Sequence, residues 1–168
     1  MKRFAKAFGP IVLAFIIYIT FSGSVSIYDL VSGIIVALVV GLLMANLVVS
    51  KPSKLFQVWR LAWLAAYGIY YFFIAEVKAH SDLIYRILHP KMPVNPGIVR
   101  VPYSVETDYA MTTVANSITN TPGTVVVDLD PGKRTFYVHW IYIKDLTPTG
   151  AKKHISETFE KYAKKIFD

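Results

Sequence analysis

The chain has no cysteine among its 168 residues. That excludes a disulfide framework, thiolate zinc sites, iron–sulfur ligation and a cysteine nucleophile. Charge is also scarce: 17% of residues are Asp, Glu, Lys or Arg, against about 25% in ordinary soluble domains. Hydrophobic residues reach 54%, and the mean hydropathy is +0.44. The chain is too apolar for disorder and too uncharged for a typical soluble enzyme. Its length suits one domain, or a membrane anchor with one small domain. A dense basic patch is missing as well. The net charge of +7 is divided as +2 over residues 1–50, +3 over 51–89 and +2 over 90–168. Nucleic-acid binding wants such a patch, so membrane orientation explains the basic balance better.

What is present is a run of lipid-like sequence. Residues 30–49 (LVSGIIVALVVGLLMANLVV) carry no charge, and about 20 apolar residues cross a hydrocarbon core of about 30 Å. Within it Gly33, Ala37 and Gly41 recur every fourth residue and line one side, where small residues let helices approach closely. Residues 4–21 form a second apolar stretch behind Lys2 and Arg3. Ser22-Gly23-Ser24 would suit signal-peptide cleavage, but the next apolar run begins almost at once. A transmembrane hairpin is the better reading. Its connecting segment 22–29 holds no Lys or Arg, while Lys2, Arg3, Lys6, Lys51, Lys54 and Arg60 flank the other ends. The excess of cytoplasmic Lys and Arg then places both ends in the cytoplasm.

A third apolar stretch, 55–75, contains Arg60 and the interface-favouring Trp59, Trp63, Tyr67, Tyr70 and Tyr71. It runs into a polar segment, 76–82, that is unsuited to lipid. Spanning would break the charge bias, so a helix at the interface or packed on membrane helices, extending to about residue 89, is expected. This gives two spans with a candidate third. Three prolines and a glycine in 89–97 mark the domain boundary: 1–89 for the membrane part and 90–168 for a cytoplasmic α+β domain.

Beyond that boundary the periodicity changes. Val99, Val101 and Tyr103 alternate as a strand, and a helix opening at Glu106 or Thr107 places Met111, Val114, Ala115 and Ile118 on one face. Val125 to Leu129 and Thr135 to Ile143 form a hairpin around Asp130-Pro131-Gly132-Lys133. Phe136, Val138, Trp140 and Tyr142 share one face of its second strand. Thr147-Pro148 reads as an N-cap and first helical residue, followed by an apolar stripe of Ile155, Phe159, Tyr162 and Ile166. The order β-α-β-β-α predicts a split βαβ, ferredoxin-like unit without its last strand.

Chemistry-bearing constellations are few. Glu76 and His80 are helical neighbours, as are Lys78 and Asp82. A proton relay through Glu76 and His80 competes with the blander reading of local ion pairs on a solvated face. Tyr137 and His139 lie on the sheet face opposite Phe136 and Val138, and a face without helices is a natural protein contact. A lone histidine makes no catalytic site. Asn116, Thr119 and Thr121 sit at a helix-to-turn junction, suited to capping or, as the second choice, to docking. No phosphate loop, HExxH, Ser-His-Asp or paired-carboxylate pattern occurs. The residues alone therefore describe a membrane-anchored structural module with no catalytic, cofactor or metal set.

The block Ala115-Asn116-Ser117-Ile118-Thr119-Asn120-Thr121-Pro122-Gly123-Thr124, with Tyr137-Val138-His139-Trp140 further on, resembles the E component of the Mrp-type multisubunit Na+/H+ antiporter. The resemblance covers the whole chain, taking in Phe21-Ser22-Gly23 of the hairpin, the third apolar helix, Pro96-Gly97-Ile98-Val99 and the closing amphipathic helix. The same type of component is similar to one in archaeal membrane-bound hydrogenase and related respiratory complexes. The resemblance implies an accessory plasma-membrane subunit with no cofactor, supporting a larger ion-translocating complex whose other subunits carry most of the transport. Partners would be other membrane subunits and the lipid bilayer, not nucleic acid. The alternative is a self-contained ion channel or carrier, which would have to oligomerise to enclose a pathway.

Overall fold

The computed structural model describes residues 2–48, 54 and 57–168. Val49, Lys51, Leu55 and Phe56, where the long apolar run ends, a basic flank sits and the third stretch begins, lie outside the described residues, as do the side chains of Lys2 and Arg3. The chain forms two compact units, Met1–Val58 and Trp59–Asp168.

In the first unit, α1 (Lys2–Ser22) and α2 (Ile27–Val48) pack against each other. The turn between them uses Gly23 at φ +66°, a left-handed conformation that glycine adopts without penalty. The Ser26 hydroxyl accepts from the Asp29 N–H at 3.2 Å and donates to the Asp29 carboxylate at 2.6 Å, starting α2. Among the described residues one helix, Ile27–Leu47, is long and apolar enough to cross a membrane, and Lys6–Ser22 is a shorter apolar helix. Only 22% of the longer helix's most apolar window is buried, unlike the core helix of a soluble domain.

In the second unit, α3 (Trp59–Tyr70) continues through a π turn (Tyr71–Ala75) into α4 (Glu76–Leu88). Trp63, Tyr67, Tyr71, Ala75 and Ala79, spaced by four, all face inward. An α-helix of 3.6 residues per turn would rotate such a row out of line, and the wider i→i+5 turn brings it back. Then follow β1 (Gly97–Pro102), α5 (Asp108–Asn120), β2 (Thr124–Asp130), β3 (Thr135–Trp140), α6 (Pro148–Ile155) and α7 (Glu157–Phe167). The sheet has the order β1-β3-β2, and β3 is antiparallel to both neighbours. Its inner face, Val99, Val101, Phe136, Val138 and Trp140, packs into one core with Val114, Ile118, Ile155, Phe159 and Ile166 of the helices. Tyr67 belongs to the same core, so the boundary between compact units precedes the proline-rich segment 89–97. Helices α3 and α4 go with the sheet.

Local expectations met the structure unevenly. Thr107 caps α5 by accepting from Ala110 N–H, and Thr147 caps α6 by accepting from Gly150 N–H, with Pro148 in the first turn. The last helix is broken, however. Ser156, wholly buried at φ −121°, separates α6 from α7. Its hydroxyl donates to Glu160 Oε1 at 3.1 Å. The second hairpin strand stops at Trp140 instead of Ile143. Ile141 N–H turns to the Gly123 carbonyl at 2.9 Å, and Tyr142 leaves the Phe136 row to lie under the Arg86 guanidinium, 4.0 Å from its carbon.

Candidate packing and partner surfaces

The small-residue row of α2 meets its own chain. Gly33, Ala37 and Gly41 are buried, as are Ala45 and, on α1, Ala7 and Pro10. A Cβ at Gly33 would stand 2.8 Å from Tyr18 Cδ1. A Cβ at Gly41 would stand 2.8 Å from the Ile11 backbone nitrogen, so the two backbones nearly touch. The hydroxyls of Tyr18 and Ser32 join the helices at 2.8 Å. The row therefore closes the hairpin, and the chain's outward membrane-type surface is the bulkier set: Leu13, Ile16 and Ile17 on α1, Ile34, Ile35 and Leu43 on α2.

Polar residues of the Asn-Ser-Ile-Thr block end α5 and begin β2. Thr121 Oγ1 donates to the Ser117 carbonyl at 2.6 Å, Thr124 Oγ1 to the Ile118 carbonyl at 2.7 Å, and Thr119 Oγ1 accepts from Val126 N–H at 3.2 Å. Gly123 takes φ +96° in the turn. The Ser117 hydroxyl donates to the Thr113 carbonyl and shares a hydrogen bond with the Tyr67 hydroxyl. Capping and turn formation thus account for Thr119 and Thr121, while Asn116 is exposed on α5.

Tyr137 and His139 stand on the outer face of the central strand. Arg100 and Asp128 pair with Tyr137 on either side, and Ile98 and Val125 with His139. Ile98 is 62% exposed and Val125 44%. The result is an open face with an apolar row beside a charged one. A bulge between Val126 and Asp128 bends β2 next to it.

Glu76 and His80 are brought together: His80 Nδ1 lies 3.3 Å from Glu76 Oε2 and 2.9 Å from the Glu76 carbonyl. Among the described residues, Glu76 Oε1 and the Tyr71 hydroxyl are buried without a well-formed hydrogen bond, although Glu76 and Thr121 both act on the Tyr71 hydroxyl. Further along α4, Asp82 accepts twice from Arg86, at 2.8 and 2.9 Å. Those bonds hold the Asp82 carboxyl below the usual carboxylate range, with Lys144 adding to the effect. Arg86, 6% exposed, also donates to the Pro93 carbonyl at 2.6 Å. It thereby joins α4 to the proline-rich segment.

Two residues carry roles that no local pattern announces. Arg60, inside the apolar stretch, donates to the last-turn carbonyl of Ile166 at 2.6 Å, capping α7. Glu160, 3% exposed, accepts from Ser104 N–H, Ser104 Oγ, Ser156 Oγ and Lys152 Nζ at 2.9–3.1 Å. A carboxylate so fully satisfied can be buried without an orphan lone pair. From sequence it reads as one more charge on a solvated helix. Among the described residues no group of three or more His, Asp or Glu could hold a metal ion.

One membrane-length helix, a largely exposed apolar hairpin and a three-stranded antiparallel sheet packed on helices fit a membrane subunit carrying a small α+β domain. Residues 11–166 match the family described as "Na+/H+ ion antiporter subunit", and the chain belongs to that family, whose members are transporter components. The E component of the Na+/H+ antiporter of Alkalihalophilus pseudofirmus is 30% identical over 149 residues, 87% of this chain and 88% of the relative. The E1 component of the Staphylococcus haemolyticus antiporter is 30% identical over 77% of this chain and 78% of that protein. A chain in the solved structure of the membrane-bound sulfane sulfur reductase, an archaeal respiratory membrane complex, is similar at TM-score 0.81 and 32% identity. The match covers 97% of this chain and 99% of that one.

Proposed function

We propose that this chain is an accessory, non-catalytic membrane subunit of an Mrp-type cation/proton antiporter module, either in a stand-alone Na+/H+ antiporter or in a redox-linked respiratory complex. The observation that carries this reading is the likeness, over 97% of this chain, to a chain of an archaeal respiratory membrane complex, together with family membership over residues 11–166. Helices α1 and α2 span the plasma membrane as a hairpin. The apolar part of α1, Lys6–Ser22, is about 26 Å long at 1.5 Å per residue, enough for a thin or adjusted bilayer. Both hairpin ends face the cytoplasm, as the basic flanks favour.

The membrane part runs to residue 89 only by including the interfacial helix, whose α3–α4 segment packs with the sheet; residues 90–168 are the cytoplasmic α+β domain, a split βαβ unit. Helix α3 lies at the interface and does not cross. Its inner side is committed to the domain core through Tyr67, while Leu61, Ile69, Phe72 and Phe73 remain exposed. The hairpin's outer apolar surface packs on helices of neighbouring subunits, and the sheet face of Tyr137 and His139 contacts a partner subunit.

Purification of the tagged chain from native membranes in mild detergent, with identification of what accompanies it, tests the reading. Antiporter-type membrane subunits alone mark a stand-alone antiporter, and the same subunits with metal-cluster proteins mark a redox-driven pump. Recovery of this chain by itself overturns the accessory role.

A further inference from the structure

Outside the surfaces already described, the second unit holds a cleft of about 280 Å³ between α3–α4, the turn at Thr121 and Pro122, and α6–α7. Lys78, Lys144, Lys153 and His154 all line it. Asp82 and Glu157 line it too, but each is already paired, Asp82 in part with the lining Lys144. Asp82 is held by Arg86 and Lys144, and Glu157 pairs with Lys161 at 3.2 Å. Lys78 and Lys153 make no hydrogen bond or ion pair with any described residue. Lys78 on α4 and Lys153 on α6 therefore bring uncompensated positive charge to the lining of one cavity.

We propose that this cleft binds a phosphate-bearing anion, supplied as the headgroup of an anionic phospholipid or as free phosphate. A lysine ammonium is a compact, strongly hydrated charge suited to phosphate. Thr158 adds a hydroxyl to the lining, and Tyr70 supplies an amphipathic ring of the kind that settles at headgroup depth. Ile74, 42% exposed, sits on α3's continuation between the lining residues Tyr70 and Lys78. Ile74 thus places an exposed apolar side chain beside the cleft along the helix, on which an acyl chain can rest. The charge argument stands alone, and only the choice of a lipid source rests on the interfacial reading of α3.

The test uses the full chain in mild detergent, with native mass spectrometry reading bound phosphatidylglycerol, phosphatidylcholine and inorganic phosphate. The wild type is compared with the double variant Lys78→Gln/Lys153→Gln and with Lys91→Gln as a control outside the cleft. Each basic group near an anionic lipid contributes roughly a fivefold factor. Phosphatidylglycerol binding should fall on the order of 20-fold in the double variant and stay unchanged in the control, with phosphatidylcholine weak throughout. Loss confined to inorganic phosphate in the double variant supports the cleft with free phosphate as its ligand. If no probe binds the double variant more weakly than the wild type, the proposal is overturned. Because the readout is binding to the isolated chain, it is independent of whether other subunits co-purify.

Discussion

A Cβ placed on Gly41 would stand 2.8 Å from the backbone nitrogen of Ile11 and 2.9 Å from its Cα. Backbone atoms cannot rotate aside as a side-chain tip can, so the helices themselves must separate. Gly41→Ala should lower the stability of the chain in mild detergent by about 1–3 kcal/mol, despite alanine's better helix propensity. Gly68 is the opposite case, a helical glycine with nothing within 4 Å of its Cβ position. Gly68→Ala should raise stability by up to about 1 kcal/mol. Thermal unfolding of the two variants side by side decides the matter: equal shifts would mean that α1 and α2 do not approach as described.

Tyr67 carries α3 into the domain core. Its ring meets Tyr71, Phe159 and Tyr162 with centroids 5.3–6.4 Å apart, and its hydroxyl bonds that of Ser117. Tyr67→Phe keeps the ring contacts and loses the hydroxyl, a cost of about 0.5–1.5 kcal/mol. Tyr67→Ala removes both and should cost about 3–5 kcal/mol. Limited proteolysis around residues 57–75 would report the release of α3. Full protection in Tyr67→Ala would mean that another contact secures the helix.

These two relationships differ in how visible they are in the sequence. The Gly33–Ala37–Gly41 spacing announces a close helix contact, because packing at small residues is a local property of one face. It does not say whose helix is met, and the partner proved to be α1 of the same chain. The caps at Thr107 and Thr147 and the Phe136–Val138–Trp140 row were legible for the same local reason. Tyr67 and Ser117 lie fifty residues apart, and no periodicity links them. The burial of Glu160 depends on Ser104, Lys152 and the helix break at Ser156 arriving together. The inward turn of Tyr142 depends likewise on Arg86. Polar residues whose roles come from long-range partners look like surface residues in a one-dimensional reading.

Acid should loosen the joint made by Asp82 and Arg86. The folded-state carboxyl titrates below its ordinary value because Arg86 hydrogen-bonds the charged form. Its contribution is complete above the unfolded value of about 3.9 and is lost as pH falls through the lower, folded value. The Asp82 side chain is 43% exposed, so screening limits the contribution to about 1 kcal/mol. Asp82→Asn should lose that amount at neutral pH and show a flatter decline in stability below about pH 4. An unchanged acid limb would show that Arg86 is held by the Pro93 carbonyl and Tyr142 alone.

The outer sheet face offers a cleaner separation of folding from assembly. Tyr137 and His139 point away from the core, and neither forms part of its buried cluster. Truncating a central interface tyrosine typically costs about 2 kcal/mol of binding. The pair Tyr137→Ala and His139→Ala should therefore leave the isolated chain's unfolding temperature nearly unchanged, while reducing co-purified partner subunits on the order of tenfold or more. Undiminished recovery of the partners would move the contact to the hairpin's outer surface.

Glu76 and His80 pose a last question, whether their closeness serves proton movement or only helix stability. The contact is an i,i+4 pair with the His80 side chain 58% exposed at its outer end, and such pairs contribute about 0.2–0.5 kcal/mol. Inward, the chain of polar atoms reaches Glu76 Oε1 and the Tyr71 hydroxyl, both buried and, among the described residues, without a well-formed hydrogen bond. A relay needs a continuous line of donors and acceptors leading onward. Beyond Tyr71 lie Tyr67 and Phe159 of the aromatic core and the Thr121 side chain, whose hydroxyl proton is already given to the Ser117 carbonyl. Glu76→Gln and His80→Gln should each leave Na+/H+ exchange by the assembled complex within about twofold of wild type, while shifting stability by no more than about 0.5 kcal/mol. Exchange measured in membrane vesicles containing the complete complex, across a range of pH, makes the distinction. A collapse of exchange in Glu76→Gln with assembly intact would assign the pair to proton transfer after all.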